Sequence, residues 1–126
     1  LIFAVGNFVW PSVRLAEDIQ KETNKSIKVI NLRFIKPLNV KELEPIIEKS
    51  SLVCIIEDGS QIGGTYHYIL NQFKHLNKPL NEWLSFAIPD RFIDHGSVNK
   101  LREEISLLPS QIKDEMISAS NKLLHA

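Results

Sequence analysis

The chain has 126 residues, with 15 basic and 15 acidic side chains and a formal net charge of zero at pH 7 when histidine is neutral. This length fits one domain whose hydrophobic core needs no disulfide or metal to fold. The balanced charge predicts no nucleic-acid or anionic-membrane partner, because no summed positive field attracts phosphate. The single cysteine, Cys54, lies in an apolar run, so we interpret it as a small buried side chain of a cytoplasmic protein.

Four short apolar runs cover residues 1–5, 27–32, 52–56 and 83–88. They hardly alternate between apolar and polar residues, which is typical of strands covered on both faces. The first run has no basic flank and meets Gly6 too early for a signal peptide, and no run is long enough to span a membrane. Because the chain starts at Leu1 and its only methionine is Met116, we expect a fragment of a longer protein.

Apolar residues at helical spacing predict five helices between and after these runs. The helix starts are marked by Pro11, Asn39, the pair Gly63-Gly64, Ser97 and Pro109-Ser110. The stripes expected to face the core are Leu15, Ala16 and Ile19; Val40, Leu43, Ile46 and Ile47; Tyr66, Ile69, Leu70, Phe73 and Leu76; Val98, Leu101 and Ile105; and Ile112, Met116, Ala119 and Leu123. Pro45 lies inside the second helix and should kink it.

Strands that alternate with helices favour an α/β fold with three α/β/α layers and a doubly wound, mostly parallel sheet. We predict one domain over residues 1–126 with four strands. The run 1–5 should lie between the runs 27–32 and 52–56, because short crossovers and one reversal of direction place these strands side by side. The run 83–88 then lies outside the run 52–56.

The first group of candidate site residues lies where this reversal is predicted. Glu57 and Asp58 end the third run, and Gly63-Gly64 start the next helix. A doubly wound sheet usually binds its ligand at such a reversal, and glycine amides at a helix start can bind an anion. We favour a local role, since no lysine or arginine is adjacent: the carboxylates accept hydrogen bonds from nearby amides, and the glycines permit close packing of helix on strand.

A second candidate loop covers residues 33–37, where Arg33 and Lys36 flank Phe34 and Ile35. The apolar pair indicates docking to a neighbouring surface. The alternative is a packed loop with a solvated basic pair.

The third candidate loop joins the last strand to the fourth helix. Acidic, basic, histidine, proline and glycine residues are more concentrated here than elsewhere in the chain. Its candidates for a polar network, at an interface or at the mouth of an active site, are Asp90, Arg91, Asp94 and His95. The local interpretation makes Phe92 and Ile93 core residues, Gly96 a positive-φ residue and Ser97 a helix cap.

The sequence lacks the motifs of the common phosphate and metal sites. Its five glycines form neither Gly-x-x-x-x-Gly-Lys-Ser/Thr nor Gly-x-Gly-x-x-Gly. Among the four histidines only His67 and His75 approach metal spacing, and a third ligand is missing. No nucleophile lies at a readable spacing from His95, so we assign no catalytic, cofactor-binding or metal-binding residue.

Three segments, taken together and in order, resemble a known family. They are Asn-Leu-Arg-Phe-Ile-Lys-Pro-Leu at 31–38, Glu57-Asp58 before Gly63-Gly64, and Ile-Pro-Asp-Arg-Phe-Ile-Asp-His-Gly at 88–96. The chain resembles the C-terminal domain of the 1-deoxy-D-xylulose-5-phosphate synthases, in the transketolase-like, thiamine-diphosphate-dependent group, from residue 1 to about residue 124. One departure is Thr65-Tyr66, where relatives commonly follow the paired glycines with a small residue and another glycine.

The resemblance implies that the whole protein condenses pyruvate with glyceraldehyde 3-phosphate and releases carbon dioxide. The product, 1-deoxy-D-xylulose 5-phosphate, serves isoprenoid, thiamine and pyridoxal precursors. The resemblance also implies that preceding domains hold thiamine diphosphate and magnesium, through a Gly-Asp-Gly motif and paired asparagines that this chain lacks. For the domain itself it implies contact with those upstream domains and support of a homodimer. It further implies an antiparallel strand upstream of Leu1, without which the run 27–32 is an exposed sheet edge.

Two alternatives remain open. The chain could be the equivalent domain of a transketolase or of a 2-oxo acid dehydrogenase β subunit, although the segment 90–96 argues against both. It could instead be a free-standing, flavodoxin-like ligand-binding module. The reading frame upstream of Leu1 distinguishes the enzyme domain from the module.

Overall fold

The four predicted strands form one parallel sheet in the computed structural model, which describes residues 1–125, apart from the side chain of Asn81. The strands are β1 (Ile2–Ala4), β2 (Val29–Asn31), β3 (Val53–Ser60) and β4 (Trp83–Ile88), and their order is β2-β1-β3-β4. Ile2 of β1 is aligned with Val29 on one side and with Cys54 on the other. The predicted topology is therefore confirmed, with β1 in the centre and β4 beyond β3.

Five helices connect and follow these strands. They are α1 (Val9–Thr23), α2 (Val40–Glu48), α3 (Thr65–Gln72), α4 (Val98–Glu104) and α5 (Pro109–Leu124), with short 3-10 turns at Gly6–Phe8, Lys74–Leu76 and Leu80–Glu82. No helix within residues 1–125 combines the length and the apolar composition that crossing a bilayer requires.

The start of α1 differs from the prediction. The helix begins at Val9 rather than at Pro11, and the 3-10 turn at Gly6–Phe8 leads into it. Pro11 is tolerated here because the first turn of a helix leaves its backbone N–H groups without helical partners. Asn24 ends the helix in the left-handed region at φ 58°, and its N–H donates to the Gln20 carbonyl at 2.9 Å.

Alternate residues of the central strands point to opposite faces of the sheet and build two separate cores. One core, under α1 and α5, consists of Ile2, Ala4, Phe8, Leu15, Ala16, Ile19, Leu52, Cys54, Ile56, Phe86, Leu107, Ile112 and Met116. The other, under α2 and α3, consists of Phe3, Leu32, Leu43, Ile47, Val53, Ile55, Ile69, Phe73 and Trp83. Helices therefore cover both faces, which confirms the three-layer α/β/α prediction. Each fully buried Ile or Phe contributes about 1.5–3 kcal/mol to this arrangement.

Several local predictions are wrong in detail. Strand β3 continues to Ser60, so Glu57 and Asp58 lie within it rather than at its end. Val98, predicted to face the core, is exposed. Asn39 and Ser97 do occupy helix N-cap positions, but neither side chain caps its helix with a hydrogen bond.

Candidate functional site at the carboxyl edge of the sheet

Because all four strands are parallel, their carboxyl ends meet at one edge of the sheet, which we call the carboxyl edge. The strand order reverses there between β1 and β3, which is the usual binding position in a doubly wound fold. All ten predicted site residues lie in β3 near this edge or in the connections that leave it. These residues are Arg33 and Lys36 after β2; Glu57, Asp58, Gly63 and Gly64 in and after β3; and Asp90, Arg91, Asp94 and His95 after β4.

Glu57 is a buried carboxylate, with only 4% of its surface exposed. The Thr65 hydroxyl donates a hydrogen bond to Glu57 Oε2 at 2.7 Å, and the Tyr66 N–H donates to Oε1 at 3.4 Å. Both donors belong to the first turn of α3, where backbone N–H groups lack helical partners and a negative charge is favourable. Glu57 therefore ties the end of β3 to the start of α3.

Two glycines make room for the Glu57 carboxylate. A Cβ atom on Gly59 would lie 2.7 Å from Glu57 Oε2. A Cβ atom on Gly64 would lie 2.2 Å from the Ser60 carbonyl oxygen and 2.8 Å from Glu57 Oε1. Gly63 is required for a different reason, because it adopts φ +74° with open space around it. The close approaches at Gly59 and Gly64 therefore leave room for the Glu57 side chain and for nothing larger than glycine.

Asp58, the neighbour of Glu57, points to a different partner. Both of its carboxylate oxygens accept hydrogen bonds from Arg102 Nη2 of α4, at 3.3 and 3.4 Å. The Arg102 guanidinium also lies 4.6 Å from the centre of the Phe8 ring, as a cation-π contact. Arg102 thus links α4 to β3 and to the 3-10 turn that follows β1.

The loop after β4 carries its charged groups on the outside. Arg91 forms an ion pair with Glu104 of α4 at 2.9 Å, while Asp90, Asp94 and His95 are exposed. The structure records contacts of Arg91 with Glu104, and none that join Asp90, Asp94 and His95 into a network within the described chain.

Two parts of the local interpretation of this loop are wrong. Phe92 is not a core residue, because its side chain is fully exposed at 104% of the reference area. Gly96 has no positive φ; the glycines with positive φ in the described chain are Gly6 and Gly63. The β4 loop therefore presents an aromatic side chain to the outside rather than closing the core.

The loop after β2 also exposes charged side chains and an aromatic side chain. Phe34 is exposed, and so are Arg33 and Lys36 on either side of it. The Lys36 ammonium lies 5.1 Å from the centre of the Tyr68 ring on α3, and the Lys36-Pro37 peptide bond is cis. This loop too combines an outward aromatic residue with basic side chains.

Sequence reasoning missed four residues that hold the site together: Gly59, Thr65, Arg102 and Glu104. Thr65 had a usable signal, because it directly follows the glycine pair at the predicted helix start, and its hydroxyl supplies the donor that Glu57 needs. Arg102 and Glu104 had no such signal in the sequence. Their partners become visible only once α4 folds back over the carboxyl edge.

Comparisons with known proteins fit this geometry. The sequence profile of the family described as "Transketolase, C-terminal domain" matches residues 1–112. The chain belongs to the transketolase C-terminal domain family. A "Split gene transketolase, inactive beta4 tetramer" has the same fold, with a TM-score of 0.78 and 19% identity over 98% of this chain and 38% of that chain.

Curated relatives of this transketolase C-terminal domain are 1-deoxy-D-xylulose-5-phosphate synthases. That of Alkaliphilus oremlandii is 36% identical over 118 residues, which is 92% of this chain and 18% of the relative. That of Dictyoglomus thermophilum is 34% identical over 94% of this chain and 19% of the relative, and that of Exiguobacterium sibiricum is 36% identical over 96% and 19%. The chain spans about a fifth of the length of the relatives it matches.

Within residues 1–125, no group of three or more His, Cys, Asp or Glu side chains could hold a metal ion. The described residues therefore offer no carboxylate cluster that would fit magnesium with a diphosphate. Burial raises the pKa of the Cys54 thiol to about 12, so this side chain is not a nucleophile near neutral pH.

Proposed function

We propose that this chain is the non-catalytic C-terminal domain of a 1-deoxy-D-xylulose-5-phosphate synthase, and one domain of a longer protein. The whole enzyme condenses pyruvate with glyceraldehyde 3-phosphate and releases carbon dioxide, in the cytoplasm, at the start of isoprenoid, thiamine and pyridoxal precursor synthesis. Thiamine diphosphate and magnesium are held by the other domains. The role of this domain is to contact those domains and to support a homodimer.

The observation that carries this proposal is the similarity to the synthases over more than nine-tenths of the chain. The match to only about a fifth of each relative supports a domain of a longer protein. Most of each relative's length therefore lies outside this chain. The cofactor ligands that this chain lacks would lie in that part of the protein.

The assembly role is supported by the carboxyl edge. Phe34 and Phe92 are large apolar side chains exposed next to charged residues, a combination that marks interaction surfaces. Asp58 and Arg91 each have a partner on α4, so the edge is formed before any partner binds.

The proposal is tested by comparing the 126-residue chain with the product of the complete reading frame. We expect the complete protein to form 1-deoxy-D-xylulose 5-phosphate from pyruvate and glyceraldehyde 3-phosphate with thiamine diphosphate and magnesium. Calorimetry of the 126-residue chain with the same cofactor and metal should show no binding. Micromolar binding by the chain alone would place the active site here and contradict the proposal. A reading frame that starts close to Leu1 would contradict it too, in favour of a free-standing module.

A further inference from the structure

A basic group of side chains lies at the opposite edge of the sheet, where the parallel strands begin and which we call the amino edge. Two connections reach this edge, residues 24–28 before β2 and residues 49–52 before β3. They carry Lys25, Lys28 and Lys49 and no acidic residue. The ten predicted site residues lie near the carboxyl edge, so the assembly role proposed above does not account for these lysines.

An apolar cavity of about 380 Å³ opens at the amino edge, between α1, α5 and the start of the sheet. This volume lies within the range of small-molecule sites, about 300–1,000 Å³. Three of its wall residues, Ile19, Leu52 and Met116, are buried members of the core under α1 and α5. Ile117 and Leu123 of α5 extend the wall outward. The cavity therefore offers a ligand an apolar wall that continues into the core.

A second, more polar cavity of about 480 Å³ adjoins the apolar one. Both cavities have Leu1, Ser26 and Ser51 in their walls, so they share a boundary. Lys28 and Lys49 line the polar cavity. One molecule can therefore extend from the apolar cavity to these two ammonium groups.

The three lysines of the amino edge have no acidic partner within residues 1–125, where every ion pair joins other residues. Lys25, which lines the apolar cavity, donates from Nζ to the Ser120 hydroxyl at 2.8 Å and to Asn121 Oδ1 at 3.2 Å. Both acceptors are neutral. Glu48 precedes Lys49 in the chain but lines neither cavity. The positive charge next to the cavities is thus not neutralised by the described side chains.

A local role explains part of this pattern. Lys25 and Lys49 follow the C-terminal ends of α1 and α2, where a positive charge stabilises the partial negative charge of the helix end. Lys28 lies well past Thr23, the last residue of α1, and this effect is confined to the last turn. A helix-end role also gives no reason for an apolar cavity beside the lysines.

We propose that the amino edge binds a small amphipathic anion, with its apolar tail in the apolar cavity and its anionic head among Lys25, Lys28 and Lys49. The tail gains affinity because it leaves water for a wall of core residues. The head gains charge-assisted hydrogen bonds from the ammonium groups, which are stronger than those between neutral groups. The Ser26 and Ser51 hydroxyls lie where the two cavities meet and can donate to the same head. This site is separate from the carboxyl edge, so the inference goes beyond the proposed function and does not depend on it.

The inference is tested by calorimetry with octyl phosphate, which joins an apolar tail to a phosphate head, below the concentration at which it forms micelles. The titration is done with the complete protein and with the 126-residue chain, and we expect one molecule to bind per chain in both. Octanol and inorganic phosphate should each bind at least about tenfold more weakly, because each makes only one of the two interactions.

The charged part of the site is tested in the complete protein with the double variant Lys28→Glu and Lys49→Glu. Octyl phosphate should bind about tenfold or more weakly to this variant, since a hydrogen bond to a charged group is worth at least that factor in affinity. The matched control is Lys41→Glu with Lys100→Glu. It changes the net charge by the same amount at two exposed positions that line neither cavity, so it should bind like the original protein.

The apolar part is tested with Ser51→Phe, which places a large side chain at the boundary of the two cavities without removing a core residue. We expect this variant to lose octyl phosphate binding. Ser118→Phe is the control, because Ser118 is an exposed residue of α5 that lines neither cavity. Circular dichroism and melting curves of all variants establish that a loss of binding is not a loss of folding.

Four results would overturn the inference. They are no binding of octyl phosphate to the complete protein, equal binding of octanol or of inorganic phosphate, unchanged binding to either cavity variant, and binding to vesicles of phosphatidylglycerol but not to octyl phosphate. The last result would make the amino edge a membrane-binding surface rather than a site for one small molecule. Binding by the 126-residue chain alone would also overturn it, because the segment before Leu1 would then fill the cavity in the complete protein. None of these results changes the expected product of the complete protein, so they are separable from failure of the proposed function.

Discussion

Glu57 stays buried because the first turn of α3 supplies the hydrogen bonds that water would otherwise give. Its two partners, the Thr65 hydroxyl and the Tyr66 N–H, would themselves lose an acceptor if the carboxylate were removed. An unsatisfied buried donor costs about 1–3 kcal/mol, and the cavity left by the side chain adds to that cost. The carboxylate is therefore a structural element of the carboxyl edge.

We expect Glu57→Ala to lower the free energy of unfolding by about 2–4 kcal/mol, the combined cost of lost hydrogen bonds and a cavity. Asp58→Ala is the matched control. Asp58 is partly exposed and pairs with Arg102 at 3.3 Å, so its loss should cost about 0–1 kcal/mol. Urea denaturation of both variants measures the difference. Equal losses would mean that Glu57 is not the acceptor for the start of α3.

Three of the glycines near the site make a second residue-scale prediction, because a Cβ atom would meet different surroundings at each of them. Gly64→Ala should destabilise the chain most, by roughly 2–3 kcal/mol, since its Cβ would meet the Ser60 carbonyl at 2.2 Å. Gly63→Ala should cost about 1–2 kcal/mol for its left-handed backbone at φ +74°. Gly96→Ala should be close to neutral, because it has an ordinary φ and its Cβ would touch Leu101 at 3.4 Å. Thermal melting ranks the three, and a different order would contradict the contacts described here.

At the scale of elements, the sequence predicts the strands and helices, because these depend on a local pattern of apolar residues. Apolar runs predicted all four strands, and helical spacing predicted all five helices, because burial on a regular element leaves a periodic signature. The ends were predicted less well. The start of α1 before Pro11 and the extension of β3 to Ser60 depend on tertiary contacts that leave no local signature.

The candidate site, too, could be predicted only in part from the sequence. The positions of its ten residues could be predicted, because parallel strands bring their carboxyl ends together. Their partners could not be predicted, since Arg102 and Glu104 approach Asp58 and Arg91 only through the packing of α4. Phe92 was predicted to be buried because it is apolar, and hydrophobicity alone does not distinguish a core residue from an interface residue.

At the scale of elements, we make one prediction, which concerns helix α4. It contains no fully buried residue, so its docking depends on polar contacts such as that of Arg102 with Asp58 and Phe8. We expect Arg102→Ala to speed the hydrogen exchange of the α4 amides and to leave α1 and α5 unchanged, because local opening is easiest where few apolar contacts are lost. Lys100→Ala, at an exposed position of the same helix, is the control. Unchanged exchange in α4 would show that Arg102 does not hold it.

At the scale of the whole molecule, the two cores and the carboxyl edge are separate parts of the structure. Both cores are closed by α1, α5, α2 and α3, so the fold does not depend on the exposed side chains of the loops after β2 and β4. A change in these loops can therefore alter association while the domain remains folded. This separation allows an assembly role to be tested apart from stability.

The final prediction uses Arg91, which lies on the β4 loop and pairs with Glu104. In the 126-residue chain, Arg91→Ala should cost less than about 1 kcal/mol, because the pair is half exposed and screened by solvent. In the complete protein it should weaken the dimer or lower activity, since it removes a charged side chain from a loop that we place at an interface. Glu104→Ala removes the same ion pair from the α4 side and leaves Arg91 in the loop, so it should have the smaller effect on the dimer. Melting curves of the chain and sedimentation of the complete protein give the two measurements. A large loss of stability in the chain, together with an unaffected dimer, would instead make Arg91 a local brace.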